Sequence, residues 1–238
     1  MSPRRFPNPV FVALDTPDLS RAVAIAQAVR PHVGGLKIGL EFITANGPDG
    51  VRRIVELGLP VFADVKFHDI PNTVAGASRE IARLGAKIFN IHASGGEVMM
   101  REAAAAARAV DPRMAVIGVT ALTSLNDAVL ESVGQLGPAA DQVVRLARLA
   151  KQAGLDGVVC SAHEIAPLRK ACGPDFLLVV PGIRPAGADL ADQKRVMTPA
   201  EAHRAGADIL VIGRPITGAA EPGAAAKAIA DELAAAVG

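Results

Sequence analysis

The chain has 238 residues, of which 50% are apolar and 21% are charged, and its 25 Lys and Arg nearly balance 24 Asp and Glu for a formal net charge of +1. This composition excludes a disordered, highly charged chain, and it lacks the basic excess that is typical of nucleic-acid-binding proteins. With seven Phe but no Trp and no Tyr, recognition by stacking on Trp or Tyr is also excluded, so a ligand must be held by polar groups, backbone amides and aliphatic side chains.

Short apolar runs alternate along the chain with longer Ala-rich segments of helical periodicity. The predicted strands, in chain order, are residues 10–15, 36–39, 61–66, 88–92, 115–120, 157–161, 176–181 and 209–213. The helical spacing is clearest over residues 19–29 and 143–150. Gly85, Gly154 and Gly206 stand shortly before a strand, and each is predicted to end a helix in the left-handed conformation.

The predicted strands are almost continuously apolar, which indicates burial on both faces of a parallel sheet. Eight strand–helix units in a chain of this length predict a (β/α)8 barrel that forms a single domain over residues 1–238. A doubly wound open sheet is the alternative. It would normally carry a Gly-rich dinucleotide-binding turn after the first strand, where this chain has Ala-Leu-Asp-Thr-Pro-Asp.

The sequence also predicts a cytoplasmic protein without a signal peptide or a membrane span. The basic start of the chain is followed by no apolar stretch, and no apolar run is long enough to cross a bilayer. Cys160 and Cys172 are too few for a disulfide scaffold, and we expect two reduced, partly buried thiols.

Polar residues stand at the carboxyl ends of the predicted strands, where barrel enzymes carry their active sites. Asp15 ends the first strand, Lys37 lies on the second, and Asp64 and Lys66 end the third. Because residues two apart on a strand face the same side, Asp64 and Lys66 should point together into the barrel. One buried Asp–Lys pair is more often a structural ion pair, but two lysines among at least two aspartates favour catalysis, with Lys66 as a charged proton donor.

The loops after the last two strands are where this fold commonly binds phosphate. Gly182, Arg184, Gln193, Gly213 and Arg214 would supply backbone N–H groups, an amide and two guanidinium groups there. The segment 182–195 has the polar character of a lid. A surface arginine after a turn remains the alternative for Arg184. The His residues show no zinc-ligand spacing, so no metal site is predicted.

The segment Asp64-x-Lys66-x-x-Asp69-Ile70-Pro71-Asn72-Thr73 resembles the signature of the orotidine 5′-phosphate decarboxylase family. Further matching segments lie in order on the first, second, fifth, seventh and eighth strands, and they are Ala13-Leu14-Asp15, Leu36-Lys37-Ile38-Gly39, Val119-Thr120-Ala121-Leu122-Thr123-Ser124, Pro181-Gly182-Ile183-Arg184 and Ile212-Gly213-Arg214-Pro215. Each is weak alone, but together and in this order they are highly specific.

The resemblance implies a decarboxylation of orotidine 5′-monophosphate to uridine 5′-monophosphate that uses neither cofactor nor metal. It further implies a homodimer in which part of each site comes from the partner chain. The roles implied are Lys66 as proton donor to C6 of the pyrimidine, Asp64 beside the substrate carboxylate, Lys37 between Asp64 and the ribose, Asp15 on a ribose hydroxyl, Thr123 at the pyrimidine edge, Gln193, Gly213 and Arg214 on the phosphate, Arg184 in the closing loop, and Asp69, Ile70 and Thr73 delivered into the partner's site.

Three other readings compete with this one. A magnesium-dependent sugar-phosphate decarboxylase or aldolase of the same barrel family shares Asp-x-Lys-x-x-Asp, but it uses an acidic metal ligand at the position of Lys37, which would repel a cation. A phosphosugar isomerase would need a Glu or His base at a strand end. A non-catalytic nucleotide-binding protein would not need the costly array of Lys37, Asp64, Lys66 and Asp69.

Overall fold

The computed structural model describes residues 6–185 and 197–237, and it contains a closed barrel of parallel strands in chain order. The strands are β1 (Val10–Ala13), β2 (Gly35–Ile38), β3 (Val61–Phe67), β4 (Ile88–His92), β5 (Ala115–Val119), β6 (Gly157–Val159), β7 (Leu177–Pro181) and β8 (Ile209–Ile212). All eight predicted strands are present, with ends that differ from the prediction by at most two residues. The predicted (β/α)8 barrel is therefore confirmed.

The helices surround the barrel as the periodicity predicts. They are α1 (Leu19–Val29), α2 (Leu40–Val55), α3 (Pro71–Arg83), α4 (Glu97–Arg108), α5 (Asp127–Ser132), α6 (Ala139–Gln152), α7 (Ile165–Cys172), α8 (Pro199–Ala205), α9 (Arg214–Thr217) and α10 (Pro222–Val237). The predicted helix-ending glycines are confirmed, since Gly85, Gly154 and Gly206 have φ angles of 90°, 82° and 111°. Over the described residues, no helix combines the length and the apolar character that crossing a membrane requires.

Two apolar cores explain why the strands read as continuous apolar runs. Val12 and Leu36 belong to the larger core, between the sheet and the helices, whereas Phe11, Phe62 and Ile117 belong to the smaller core inside the barrel. Alternate residues of each strand therefore enter different cores, and both are apolar. The cysteines Cys160 and Cys172 are free and buried, more completely than the sequence suggested.

The strand register stacks the inward-facing residues in layers and sets the height of the polar groups. Ala13 of β1 pairs with Lys37 of β2, and Lys37 pairs in turn with Phe62 of β3. Asp15 and Asp64 follow two residues after Ala13 and Phe62, so they lie one layer nearer the carboxyl ends of the strands. The long side chain of Lys37 rises from the lower layer to meet both.

Candidate active site

A cavity of about 360 Å3 opens at the carboxyl ends of the strands. Its floor is apolar and includes Phe62, Val179 and Val211, while its upper wall carries charged and polar groups. The predicted site residues that line it are Asp15, Lys37, Asp64, Lys66, Thr123, Arg184, Gly213 and Arg214. The structure thus brings together in one cavity residues from six different strand ends, as the barrel prediction requires.

Lys37 bridges two carboxylates at the base of this polar wall. Its Nζ lies 3.0 Å from Oδ1 of Asp15 and 3.2 Å from Oδ2 of Asp64. The side chains of Lys37 and Asp64 are only 12% and 14% exposed, whereas Asp15 is 56% exposed. Gly39 leaves room for the ammonium group, because a Cβ at that position would stand 2.8 Å from Nζ of Lys37.

The charges of Lys37 and Asp64 are held by their neighbours against the cost of burial. Burial alone would lower the pKa of Lys37, but the carboxylates of Asp64 and Asp15 outweigh it and raise that pKa above its ordinary value. Burial alone would raise the pKa of Asp64, but Lys37 and Lys66, together with hydrogen bonds from Lys66 and Asn90, lower it below its ordinary value. Both groups are therefore ionised at neutral pH.

Lys66 reaches the same carboxylate by an irregular backbone. Its Nζ lies 2.5 Å from Oδ1 of Asp64, so the predicted pairing is confirmed, and Val65 packs toward the helices as expected. The expected reason for this pairing, the regular alternation of side chains along a strand, is nevertheless wrong. Lys66 has φ of 52°, in the left-handed region, and β3 shifts register against β4 between Ala63 and Phe67. A left-handed residue with a Cβ costs about 1–2 kcal/mol, so the site holds this lysine in a strained conformation.

Asn90 of β4 is a site residue that the sequence analysis missed. It is 1% exposed, its Oδ1 accepts a hydrogen bond from the backbone N–H of Lys66 at 2.8 Å, and its Nδ2 donates to Oδ1 of Asp64 at 2.7 Å. The available signal was a single amide between Phe89 and Ile91, in a strand that is otherwise apolar up to its last residue. Buried amides of this kind are rarely unpaired, so the position pointed to a specific partner.

The ends of β7 and β8 carry the predicted phosphate-binding groups. Arg184 is 7% exposed and lines the cavity, so the alternative of a surface arginine is wrong. Arg214 begins α9 directly after Gly213, at the end of β8. Gln193 lies outside the described residues, as does most of the predicted lid segment.

Three predicted site residues lie outside the cavity of their own chain. Asp69 and Ile70 line a separate shallow depression together with His68, and Thr73 is exposed in the first turn of α3. Ile70 exposes 67% of its surface, and the Asp69 carboxylate accepts a hydrogen bond at 2.6 Å from the backbone N–H of Ile70. Within one chain these residues do not complete the site.

The histidines near the site form a pair rather than a metal centre. The rings of His68 and His92 lie 5.3 Å apart, and burial, then His68 and Lys66, lower the pKa of His92. No cluster of three or more His, Cys, Asp or Glu side chains suited to a metal ion occurs in residues 6–185 and 197–237.

The comparisons with known proteins agree with one another. The model of the orotidine 5′-phosphate decarboxylase / HUMPS family matches residues 8–229. A Paramagnetospirillum magneticum protein named orotidine 5′-phosphate decarboxylase is 54% identical over 231 residues, which cover 95% of this chain and 98% of that protein. An Anaeromyxobacter dehalogenans protein of the same name is 55% identical over 224 residues, covering 94% and 97%. The crystal structure of orotidine 5′-phosphate decarboxylase from Lactobacillus acidophilus matches with a TM-score of 0.85 and 37% identity, covering 95% of this chain and 99% of that one.

Proposed function

Because this chain belongs to the orotidine 5′-phosphate decarboxylase / HUMPS family, we propose that Lys66 is the acid of its reaction, the decarboxylation of orotidine 5′-monophosphate to uridine 5′-monophosphate. This reaction, the last step of UMP biosynthesis, is catalysed by a carboxy-lyase. The observation that carries the proposal is the contact between Nζ of Lys66 and Asp64 inside a cavity that Arg184 and Arg214 also line.

The chemical problem is the electron pair that carbon dioxide leaves behind. When the bond between C6 and the carboxylate breaks, the pair stays on C6 in the plane of the ring, outside the π system. An ammonium group already fixed beside C6 stabilises this charge without having to reorganise. Lys66 then transfers a proton from Nζ to C6, which gives the product and a neutral amine that solvent reprotonates.

Asp64 acts on the other side of the bond that breaks. Its low pKa keeps it ionised beside the substrate carboxylate. Two carboxylates about 4 Å apart at an effective dielectric constant of about 20 repel each other by roughly 4 kcal/mol, and this repulsion disappears as carbon dioxide leaves. Lys37 and Lys66 hold Asp64 in place, so that the carboxylate does not turn away from the substrate.

The remaining groups bind the parts of the substrate that do not react. Asp15 is the most exposed member of the charge array, which suits it to accept a hydrogen bond from a ribose hydroxyl, with Lys37 beside it. Thr123 faces the pyrimidine edge, and Arg184, Gly213 and Arg214, with Gln193 of the lid segment, bind the phosphate. Guanidinium groups suit this task because they bind phosphate oxygens in pairs.

We further propose that the active form is a homodimer in which Asp69, Ile70 and Thr73 enter the partner's cavity. Two features support this: these residues are exposed in their own chain, and Ile70 is a large apolar side chain with 67% of its surface uncovered. A carboxylate from the partner would bring a further negative charge to Lys66. We also propose a cytoplasmic location, which suits the two free cysteines.

The magnesium-dependent alternative is not favoured, because the position that would hold the metal is occupied by a cation. Lys37 lies between Asp15 and Asp64, at 3.0 Å and 3.2 Å. A metal ion between these carboxylates would have to displace it. We therefore propose that the reaction needs no metal.

The first experiment measures turnover of orotidine 5′-monophosphate with and without EDTA. We expect equal rates, and we expect Lys66→Ala to lose about 100- to 10,000-fold in kcat, the usual contribution of a positioned acid. The control is Lys87→Ala, which removes a lysine that forms an ion pair with Asp111 away from the cavity. A requirement for magnesium would indicate the alternative family member, and near wild-type turnover by Lys66→Ala would refute the role of Lys66.

The second experiment tests the shared site by mixing inactive variants. In a dimer of Asp69→Ala with Lys37→Ala, one site keeps both groups and the other loses both, so random mixing should restore about one quarter of the wild-type activity. The control mixes Lys37→Ala with Lys66→Ala. Both lysines of a site come from the same chain, so each site of the hybrid dimer lacks one lysine and no activity should return. If hybrid dimers form and neither mixture regains activity, Asp69 does not act across the interface.

A further inference from the structure

The backbone of β3 leaves the sheet where it carries the proposed acid. Ala63 pairs with Phe89 and Phe67 pairs with Ile91, so the three residues between Ala63 and Phe67 face Asn90 alone. A strand that bulges in this way loses ladder hydrogen bonds, and a buried N–H without a partner is costly. The N–H of Lys66 is one such group, and its partner is the side chain of Asn90 at 2.8 Å.

The amide of Asn90 closes a ring of contacts around the acid. Its Oδ1 accepts from the main chain of Lys66, its Nδ2 donates to Oδ1 of Asp64 at 2.7 Å, and the same Oδ1 of Asp64 receives Nζ of Lys66 at 2.5 Å. The orientation of the amide follows from chemistry, because a backbone N–H can only donate and an ionised carboxylate can only accept. One side chain therefore fixes both the backbone of Lys66 and the carboxylate that holds its ammonium group.

We propose that Asn90 is a positioning residue for the decarboxylation. It keeps Lys66 in its left-handed conformation and Asp64 in its orientation, so that the ammonium group is directed at the reacting carbon before the substrate binds. This inference rests on the proposed function of Lys66. Asn90 does not line the cavity, so it acts through Lys66 and Asp64 rather than on the substrate.

Asn90→Ala removes both hydrogen bonds. We expect kcat to fall by about 100-fold, the effect that a displacement of about 1 Å can have on a reacting group. KM should stay within about threefold, because the phosphate and ribose groups are untouched. A residue that only stabilised the fold would lower the melting temperature without this selective loss of kcat in the folded protein.

Asn90→Asp is nearly isosteric and gives a readout that a structural role would not produce. As a carboxylic acid the new side chain can still accept from Lys66 and donate to Asp64, but as a carboxylate it can only accept, and it repels Asp64. The charged groups that it contacts are Asp64 and Lys66 on β3. Lys37 on β2 binds the same Asp64, and His92 follows two residues later on β4. We expect its kcat relative to that of the wild type to rise by about tenfold as the pH falls from about 8 to about 5.

Asn8 offers a matched control at the opposite end of the barrel. Its Oδ1 accepts from the backbone N–H of Val10 at 3.0 Å, the same kind of bond that Asn90 accepts, and its Nδ2 donates at 2.9 Å to the backbone carbonyl of His32 rather than to a carboxylate. Asn8→Ala and Asn8→Asp should keep kcat within about threefold of wild type. The ratio of the kcat of Asn8→Asp to that of the wild type should not change with pH.

The outcomes separate this inference from the function on which it rests. If Lys66→Ala is inactive but folded Asn90→Ala keeps kcat within about threefold of wild type, the positioning role is refuted and the role of Lys66 stands. The positioning role is also refuted if kcat of Asn90→Asp relative to that of the wild type does not change with pH. If Asn90→Ala does not fold, this measurement on Asn90→Asp decides the question by itself. Full activity of Lys66→Ala would instead refute the proposed function itself.

Discussion

Replacing Asp64 with Asn isolates the electrostatic part of the proposed mechanism. The amide has nearly the same shape, and its oxygen at the Oδ1 position still accepts from Lys66 and Asn90, the two donors bound there. Its NH2 group at the Oδ2 position faces Nζ of Lys37, which then keeps only Asp15 as a partner. The substitution thus removes one negative charge while most of the local hydrogen bonds survive.

The size of the effect follows from the charge that is lost. If the substrate carboxylate lies about 4 Å from Asp64, the lost repulsion is roughly 4 kcal/mol at an effective dielectric constant of about 20. At about 1.4 kcal/mol for each tenfold change in rate, kcat of Asp64→Asn should fall by up to about 1,000-fold. Because the repulsion acts on the bound substrate and vanishes with carbon dioxide, the variant should also bind the substrate more tightly than the wild type does.

The assay follows substrate loss in single turnovers and measures the substrate dissociation constant on the slow variant. Asp111→Asn is the control, since Asp111 also binds a lysine, Lys87, but away from the cavity, and it should leave kcat unchanged. A folded Asp64→Asn protein whose kcat stays within tenfold of wild type, or one that binds the substrate more weakly, contradicts the repulsion argument.

Three further predictions follow from other contacts. Arg214→Ala should lower kcat/KM for the nucleotide by about 10- to 100-fold, which is the contribution of a charged hydrogen bond. It should leave turnover of the nucleoside, which has no phosphate, unchanged. An equal loss for both substrates would contradict phosphate binding by Arg214. The low pKa of Asp64 stabilises the folded state above its unfolded value of about 3.9, and this contribution is lost as the pH falls through the lower folded value. The difference in unfolding free energy between wild type and Asp64→Asn should therefore shrink below about pH 4, and a difference independent of pH would contradict it. At the other end of the barrel, Asp208 accepts hydrogen bonds from Arg169 and from the backbone N–H of Leu178, and Asp208→Asn weakens both. Denaturant titration should therefore give an unfolding free energy about 1.5–3 kcal/mol lower than that of the wild type, with kcat unchanged. A loss of kcat would show that this contact is coupled to the active site.

The barrel could be predicted from the sequence because its signal is repeated along the whole chain. The strands are largely apolar on both faces, and each strand–helix unit returns the chain to the start of the next strand. Left-handed glycines such as Gly85 and Gly206 end the helices at these returns. An error in one element would not change the result, since the other units indicate the same fold.

The site could be predicted only where the residue type itself indicates a chemical role. Asp64 and Lys66 stand out because charges at strand ends are costly, and their contact was predicted correctly. The bulge that brings them together was not predicted, because the amino-acid sequence around Lys66 does not indicate a left-handed backbone. Such a backbone conformation is usually adopted by glycine. Asn90 was missed for a related reason: its importance depends on the bulge opposite to it.

The charges of the described cavity wall explain why the phosphate matters for a reaction at the other end of the substrate. Lys37 and Lys66 neutralise Asp15 and Asp64, so this array offers the substrate carboxylate little net attraction, and Asp69 from a partner would turn it repulsive. The energy that holds the carboxylate against Asp64 must then come from elsewhere, and the guanidinium groups of Arg184 and Arg214 are the candidates. Binding energy used in this way lowers the barrier rather than only KM. A substrate without its phosphate should therefore lose kcat as well as affinity, whereas a loss confined to KM would mean that the carboxylate is held by local contacts.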